Sequence, residues 1–266
     1  MDRAPDAPVD PNPLRLNLPA RSIKPRETGL TILIDPGSPT RYFTDVIDSS
    51  ADLVDLVKFG WGTALVTADL EEKIRCLRSH GIGYFFGGTL FERCYQEGRI
   101  DEYVRYCEAK GCRYMEVSNG TINLSNRDKA RMIRELARDF TVLSEVGYKD
   151  ADRSLRLHPA RWIEYIHEDL DAGARWTITE ARESGTGGIC RSDGELRFGL
   201  IEEILNNDVP VEQLVFEAPN KTLQTYFIQR VGANVNLANI ALHDAMGVET
   251  LRLGLRSDTL PVPEIQ

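Results

Sequence analysis

The 266-residue chain carries 42% hydrophobic and 27% charged residues, enough apolar content for a large core and too much for an intrinsically disordered protein. Its 32 Lys and Arg against 41 Asp and Glu give a net charge of -9, which argues against nucleic acid and anionic membranes as partners, since both call for a basic face. No apolar run approaches the ~18 residues needed to cross a bilayer, and the opening MDRAPDAPVDPNP is acidic with no apolar h-region, so a cytoplasmic location is expected.

Residues 1–20 hold five of the thirteen prolines and read as an extended arm. From residue 21 to 260, short apolar runs alternate with longer amphipathic stretches and no linker interrupts them, which predicts one domain; residues 261–266 form a short tail. Strands are predicted at Leu30–Asp35, Leu53–Phe59, Gly83–Phe86, Tyr114–Val117, Thr141–Val146, Trp176–Glu180, Gln213–Glu217 and Asn234–Leu237. Helices between them carry their own start signals. Ser125 with Asp128 forms a capping box before Met132, Ile133 and Leu136, and Pro159 suits a first turn ahead of Trp162, Ile166 and Leu170 on one face.

Eight strand–helix units in a chain of this length predict an α/β fold, the single-domain (βα)8 TIM barrel, which typically takes roughly 250 residues. The competing doubly wound sheet usually follows its first strand with a GxGxxG or GxxxxGK[ST] loop, whereas the first strand here runs into DPGSPT.

A barrel does its chemistry at the C-terminal ends of its strands. In chain order those ends offer Asp35; Lys58 before GWGT; GGT at 87–89; Glu116 with Ser118 and Asn119; Glu145 with Lys149; Glu180 with Arg182 and Glu183; Glu217 with Lys221; and Asn234, Asn236 and Asn239. Alternation puts Glu145 on one face with Leu143, Glu180 with Ile178, and Glu217 with Val215. If that face points inward, three carboxylates converge on the mouth. Two readings answer their mutual repulsion: a hard divalent cation such as Mg2+, or salt bridges to Lys149, Arg182 and Lys221. Lys58, Lys149, Arg182 and Lys221 at one rim of an acidic chain suggest an anion pocket. SGTGG at 184–188 and GANVNLANI at 232–240 can present backbone N–H groups to an anion.

Five cysteines with no CxxC pair argue against a disulfide framework and a zinc motif, and none of the four histidines falls at a predicted strand end, which assigns them structural or surface roles. The absence of GxSxG and HExxH removes the usual serine-hydrolase and zinc-protease patterns.

The segments GLTILIDPG, LVKFGWGT, GGTLFE, YMEVSNG, LSEVGYK, ITEARESG, FEAPNK, GANVNLANI and VETLRLGLRSDT occur in this order from about Arg26 to Thr259. Together they resemble the phosphosulfolactate synthase family. The resemblance implies a (βα)8 barrel, Mg2+ as cofactor, and addition of sulfite to phosphoenolpyruvate on the way to coenzyme M or sulfolactate. It also implies Glu145, Glu180 and Glu217 as metal ligands, Lys149 as the general acid, and Lys58, Arg182, Lys221, Asn234 and Asn236 around the substrates. A homo-oligomer is expected on the same ground. The chain departs from the family pattern at Asn119, Ala238 and Ser257, where Asp-Gly, glycine and glycine are more usual. Three alternatives stand beside this reading: a related barrel enzyme adding another nucleophile to an enol phosphate, an aldolase with Lys149 as Schiff-base lysine, and a non-catalytic, stress-associated relative.

Overall fold

A computed structural model describes residues 12–260, so residues 1–11 of the expected arm and the expected tail at 261–266 lie outside the described residues. Residues 12–29 contain neither helix nor strand. Eight strands follow: β1 (Thr31–Asp35), β2 (Leu56–Phe59), β3 (Gly83–Phe86), β4 (Tyr114–Val117), β5 (Thr141–Val146), β6 (Trp176–Thr179), β7 (Leu214–Glu217) and β8 (Asn236–Ala241). The helices are α1 (Thr40–Ser50), α2 (Leu70–Ser79), α3 (Gly88–Gln96), α4 (Ile100–Ala109), α5 (Asn126–Leu136), α6 (Ala151–Arg156), α7 (Pro159–Asp171), α8 (Phe198–Leu205), α9 (Lys221–Val231) and α10 (Ala245–Arg252).

The strands are all parallel, in the order β3-β2-β1-β8-β7-β6-β5-β4, and β3 lies beside β4, so the sheet curls into a nearly closed (βα)8 barrel as expected. No ladder joins β3 to β4, and packing replaces it. A Cβ at Gly83 would stand 2.5 Å from both Leu56 Cδ2 and the Tyr114 ring, so the absence of a side chain at the start of β3 lets Tyr114 fill the seam.

Local chemistry sets the helix starts. The Ser125 side chain accepts the Asp128 N–H before α5, and His158 caps α7 with Pro159 in its first turn. Two strand boundaries differ from expectation by three residues or more. Residues 51–53 form a 3-10 turn instead of the start of β2, and β2 begins only after Asp55, whose carboxylate accepts the Thr31 and Arg26 N–H groups. β8 runs four residues beyond the predicted end at Leu237, because its register with β1 shifts at a bulge between the Thr31 and Leu33 pairings.

Two apolar cores sandwich the sheet. Between barrel and helices lie Leu33, Val57, Phe86, Met115, Val142, Phe216 and the inner faces of the helices. Inside the bore lie Ile32, Leu56, Phe85, Leu143, Trp176, Ile178, Val215 and Ala238. Leu143, Ile178 and Val215 therefore point inward, as the alternation argument requires, and two residues further along each of those strands come Glu145, Glu180 and Glu217. The rows that fill the bore with hydrocarbon thus end in charge at the C-terminal mouth.

Two further ion pairs are fully buried behind the sheet. Lys73 of α2 meets Asp35 at 2.6 Å, and Lys129 of α5 meets Asp169 of α7 at 2.6 Å. Asp35, at the end of β1, is thereby turned away from the mouth and held by the Gly37 and Ser38 N–H groups. Among the described residues no helix is long and apolar enough to cross a membrane.

Candidate active site

The mouth opens into a cavity of about 240 Å3 whose lining includes Lys58, Trp61, Thr89, Glu145, Lys149, Glu180, Arg182, Glu217 and Asn239. Lys58, carried inward by β2, is buried. Its ammonium stands 2.9 Å from Glu116, 3.4 Å from Glu217 and 3.7 Å from Glu145. Two of these carboxylates are pinned from behind: Glu116 accepts the Gly88 N–H at 2.7 Å, and Glu217 accepts the Ala181 N–H at 2.7 Å. Lys149, in the loop after β5, reaches 3.8 Å from Glu145 and 3.9 Å from Glu180 and donates to Thr89 Oγ1 at 3.1 Å. Its side chain keeps 26% exposure while both glutamates keep almost none, so Lys149 is the cation at the open end.

Four buried carboxylates against two ammoniums cannot all stay ionised at ordinary pKa values. Burial pushes Glu180 well above the usual carboxylate range, and the charges of Glu145 and Glu217 add to the push. Burial likewise raises Glu116 and Glu217, each to about 7, against the opposing pull of Lys58. Glu145 goes the other way: against the cost of burial, Lys149 and Lys58 hold it down at about 2. Burial opposes charge on both lysines, yet the surrounding glutamates win and raise each above its ordinary value, so both stay cationic at neutral pH.

Both oxygens of Glu145 and Oε2 of Glu180 are buried and take no N–H or hydroxyl; what reaches Glu145 is the neighbouring Glu180 and Glu116 carboxyls, a proton-sharing cluster that a cation can replace. Unmet acceptors beside a cavity form the donor set a hard cation takes, with one or two carboxylates completed by water and substrate oxygens. The expected trio does not assemble as such a set. Among the described residues, the only group of three His, Cys, Asp or Glu ligand atoms lying within 4.8 Å of one another is Asp48, Cys76 and His80, on the outside of the barrel. Glu217 is committed to Lys58 and the Ala181 N–H, which leaves Glu145 and Glu180 as the pair able to face a cation.

Of the other expected site residues, the structure brings Lys58, Lys149 and Arg182 to the cavity and leaves three away from it. Lys221, in the first turn of α9, is 49% exposed and paired with Asp258. Asn234 precedes β8 at the opposite end of the barrel, where its side-chain Oδ1 accepts from the Arg21 guanidinium and the Ser22 N–H. Asn236, at the start of β8, accepts the Leu30 N–H and donates to the Glu212 and Leu214 carbonyls. Neither asparagine lines the mouth. The glycine-rich stretch 184–188 folds back on its own strand instead of arching freely: Gly188, at φ +59°, lies so close to the Glu180 carbonyl that a Cβ would stand 1.8 Å from it.

Asn239 takes the place expected of Asn234 and Asn236. It sits at φ +56°, a conformation asparagine tolerates better than most residues, and its buried Oδ1 has no partner. Trp61, at φ +51°, and Glu116 also join the site without having been expected as ligands. The three departures from the family pattern lie off the cavity. Asn119 donates to the Leu124 carbonyl, Ala238 is buried in the bore, and Ser257 is exposed.

Residues 19–258 match the family described as (2R)-phospho-3-sulfolactate synthase (ComA). The phosphosulfolactate synthase of Bacillus subtilis is 56% identical over 248 residues, covering 93% of this chain and 98% of its own. That of Methanocaldococcus jannaschii is 40% identical, covering 88% and 94%. Among solved structures, a 3-hexulose-6-phosphate synthase superposes with a TM-score of 0.53 at 12% identity, covering 84% of this chain and 99% of its own, which speaks to the barrel alone. With matches that span nearly the whole chain at this identity, the protein belongs to the phosphosulfolactate synthase family and is an enzyme of the lyase type.

Proposed function

We propose that the enzyme adds sulfite to C3 of phosphoenolpyruvate, giving 2-phospho-3-sulfolactate, with Lys149 as the general acid and Mg2+ at Glu145 and Glu180. The observation that carries this reading is the Lys149 ammonium, kept protonated by two buried glutamates at 3.8 and 3.9 Å and still facing the cavity. A proton donor must hold its proton at neutral pH and reach the substrate; the glutamates weaken the ammonium as an acid, so the strongly basic carbon at C2 drives the transfer.

The sulfur lone pair forms the C–S bond at the methylene carbon, and the electrons of the C2–C3 double bond move into the substrate carboxylate. C2 then takes a proton from Lys149 Nζ, and solvent restores it. Arg182 and Lys58 supply positive charge for the phosphate and sulfite oxygens in an otherwise acidic chain. Glu116 and Glu217 act one layer down, fixing the Lys58 ammonium. Glu145 and Glu180 would hold Mg2+, which would supply positive charge to stabilise the electron-rich substrate carboxylate. The unpartnered Oδ1 of Asn239 offers an acceptor to a water or substrate proton in the same space.

The test is incubation of purified protein with phosphoenolpyruvate, sulfite and Mg2+, with and without EDTA, and product read by phosphorus NMR. Metal-dependent phosphosulfolactate, lost in Lys149→Ala, is expected. No product from folded protein, or borohydride trapping of a substrate adduct on Lys149, overturns the reading; the latter would point to a Schiff-base aldolase.

A further inference from the structure

Away from the mouth, α1 and α2 bring together a second set of ligand atoms. Asp48 lies in the last turn of α1, Cys76 in the second half of α2, and His80 at the residue that ends α2. Cys76 and His80 are spaced i, i+4, so the helix turns both to one face. The neighbouring α1 supplies the carboxylate from across the groove. One sulfur, one ring nitrogen and one carboxylate oxygen lie within 4.8 Å of one another, and His80 Nε2 stands 2.7 Å from Asp48 Oδ1.

The surroundings favour a cation there. The half-buried Cys76 sulfur and the Asp48 carboxylate lie within 4.8 Å of each other, so a metal ion can take the place of the thiol proton beside them. A set of thiolate, imidazole and carboxylate suits a borderline-soft ion with tetrahedral preference, which is Zn2+, and does not suit Mg2+ or Ca2+. Two ligand atoms each ~2.0 Å from a tetrahedral ion stand about 3.3 Å apart, so the His80–Asp48 pair opens by only about 0.6 Å on binding. Asp48 and His80 border a cleft shared with Ser49, Ser50 and Asp52, from which water can complete the coordination.

We propose that Asp48, Cys76 and His80 bind one Zn2+ that clips the C-terminal end of α1 to that of α2. Zn2+ displaces the thiol proton to solvent, a zinc–sulfur bond replaces the S–H bond, and no electron is transferred. The clip lies on the outside of the barrel and does not depend on the reaction assigned to the mouth.

Co2+ serves as the spectroscopic probe, titrated into the reduced full-length protein. A thiolate-to-cobalt charge-transfer band that saturates at one equivalent and is discharged by Zn2+ is expected. The band should vanish in Cys76→Ser, persist in Cys94→Ser, and require at least about tenfold more Co2+ in His80→Ala, which alters a solvent-facing side chain and keeps the fold. Circular dichroism checks each variant. No band at one equivalent, a band that survives Cys76→Ser, or one indifferent to His80→Ala overturns the proposal.

Discussion

The two ends of the barrel spend their polar side chains in opposite ways. At the N-terminal end, Asn236 satisfies three backbone groups, and Arg252, buried beneath it, donates to the carbonyls of Leu30, Ala233 and Val235. Arg21 adds a paired carboxylate, Glu249, shares the Ala233 carbonyl and takes that of Gly29. At the C-terminal end, Glu145 and Glu180 are just as buried, yet three of their oxygens take no N–H or hydroxyl. The lower end also leaves atoms unpartnered, Arg252 Nε, Trp176 Nε1 and Thr31 Oγ1, but each is a single atom on a separate residue, whereas the carboxylate oxygens belong to neighbouring glutamates that face one cavity. The lower end is built as a plug and the upper end as a receptive surface. The proposed binding of anions and a cation would use that asymmetry, because groups already satisfied by the protein have nothing left for a ligand.

The sharpest way to break the comparison is to remove the cation that the mouth holds accessible. Lys149→Ala should lower kcat by about 10²–10⁴-fold, the range for a lost general acid. The fold should remain, because the lysine makes one hydrogen bond, to Thr89, and two long ion pairs. Product formation together with a denaturant melt separates the two effects. Equal losses of activity and of folded protein would make Lys149 part of the scaffold.

Glu180→Gln probes the unmet acceptors. Burial, with the charges of Glu145 and Glu217, keeps the Glu180 carboxyl well above its ordinary value of 4.5 and so favours its neutral form, which an amide mimics. Mg2+ affinity should fall at least about 10-fold, the scale seen when a group around a metal is altered, while metal-free stability should not fall. The sign follows from linkage: a carboxyl raised in the folded state binds a proton the unfolded chain has released. Metal-free wild type therefore loses stability as pH rises above the unfolded value, toward the folded one. The variant lacks this loss, so the two should melt alike in acid and the variant should melt no lower at pH 7. A variant less stable than wild type at neutral pH would show that Glu180 is paired structurally.

At the other end the expected losses reverse. Asn236→Ala strips partners from the Leu30 N–H and from the Glu212 and Leu214 carbonyls, and should cost about 1–3 kcal/mol of stability. The catalytic rate per folded molecule should stay at the wild-type level. A rate that falls with stability unchanged would return Asn236 to the substrate site.

The sequence was most legible where periodicity and position reinforce each other. Leu143–Glu145, Ile178–Glu180 and Val215–Glu217 alternate on strands whose C-terminal ends turn apolar to charged, and that pattern alone gives both the inward face and the mouth. Long-range pairing was less legible. Whether Glu217 faces a metal or Lys58 depends on a lysine 159 residues away in sequence, which no local pattern encodes. β8 misled for a different reason. Its asparagines look alike in sequence, but the bulge against β1 sends Asn236 to the plug and Asn239 to the mouth. Polarity at a strand does not by itself say which end of the barrel it serves.

Lys221 tests that last point with the smallest expected effect. It follows Glu217 on the β7 side of the mouth, which is the ordinary position for an anion-binding lysine, yet it sits in the first turn of α9 and meets Asp258 near the C-terminal end of the described chain. The pair is solvent-exposed, with the ammonium facing both Asp258 oxygens at 3.0 and 3.2 Å, the kind whose attraction water and salt largely cancel. Lys221→Ala should therefore leave both the melting temperature and kcat/KM for either substrate within error, at low and at moderate ionic strength. A selective rise in KM for phosphoenolpyruvate, steeper at low salt, would mean that Lys221 leaves Asp258 when substrate arrives. The anion pocket would then extend beyond the cavity formed by Lys58, Lys149 and Arg182, toward the loop that joins β7 to α9.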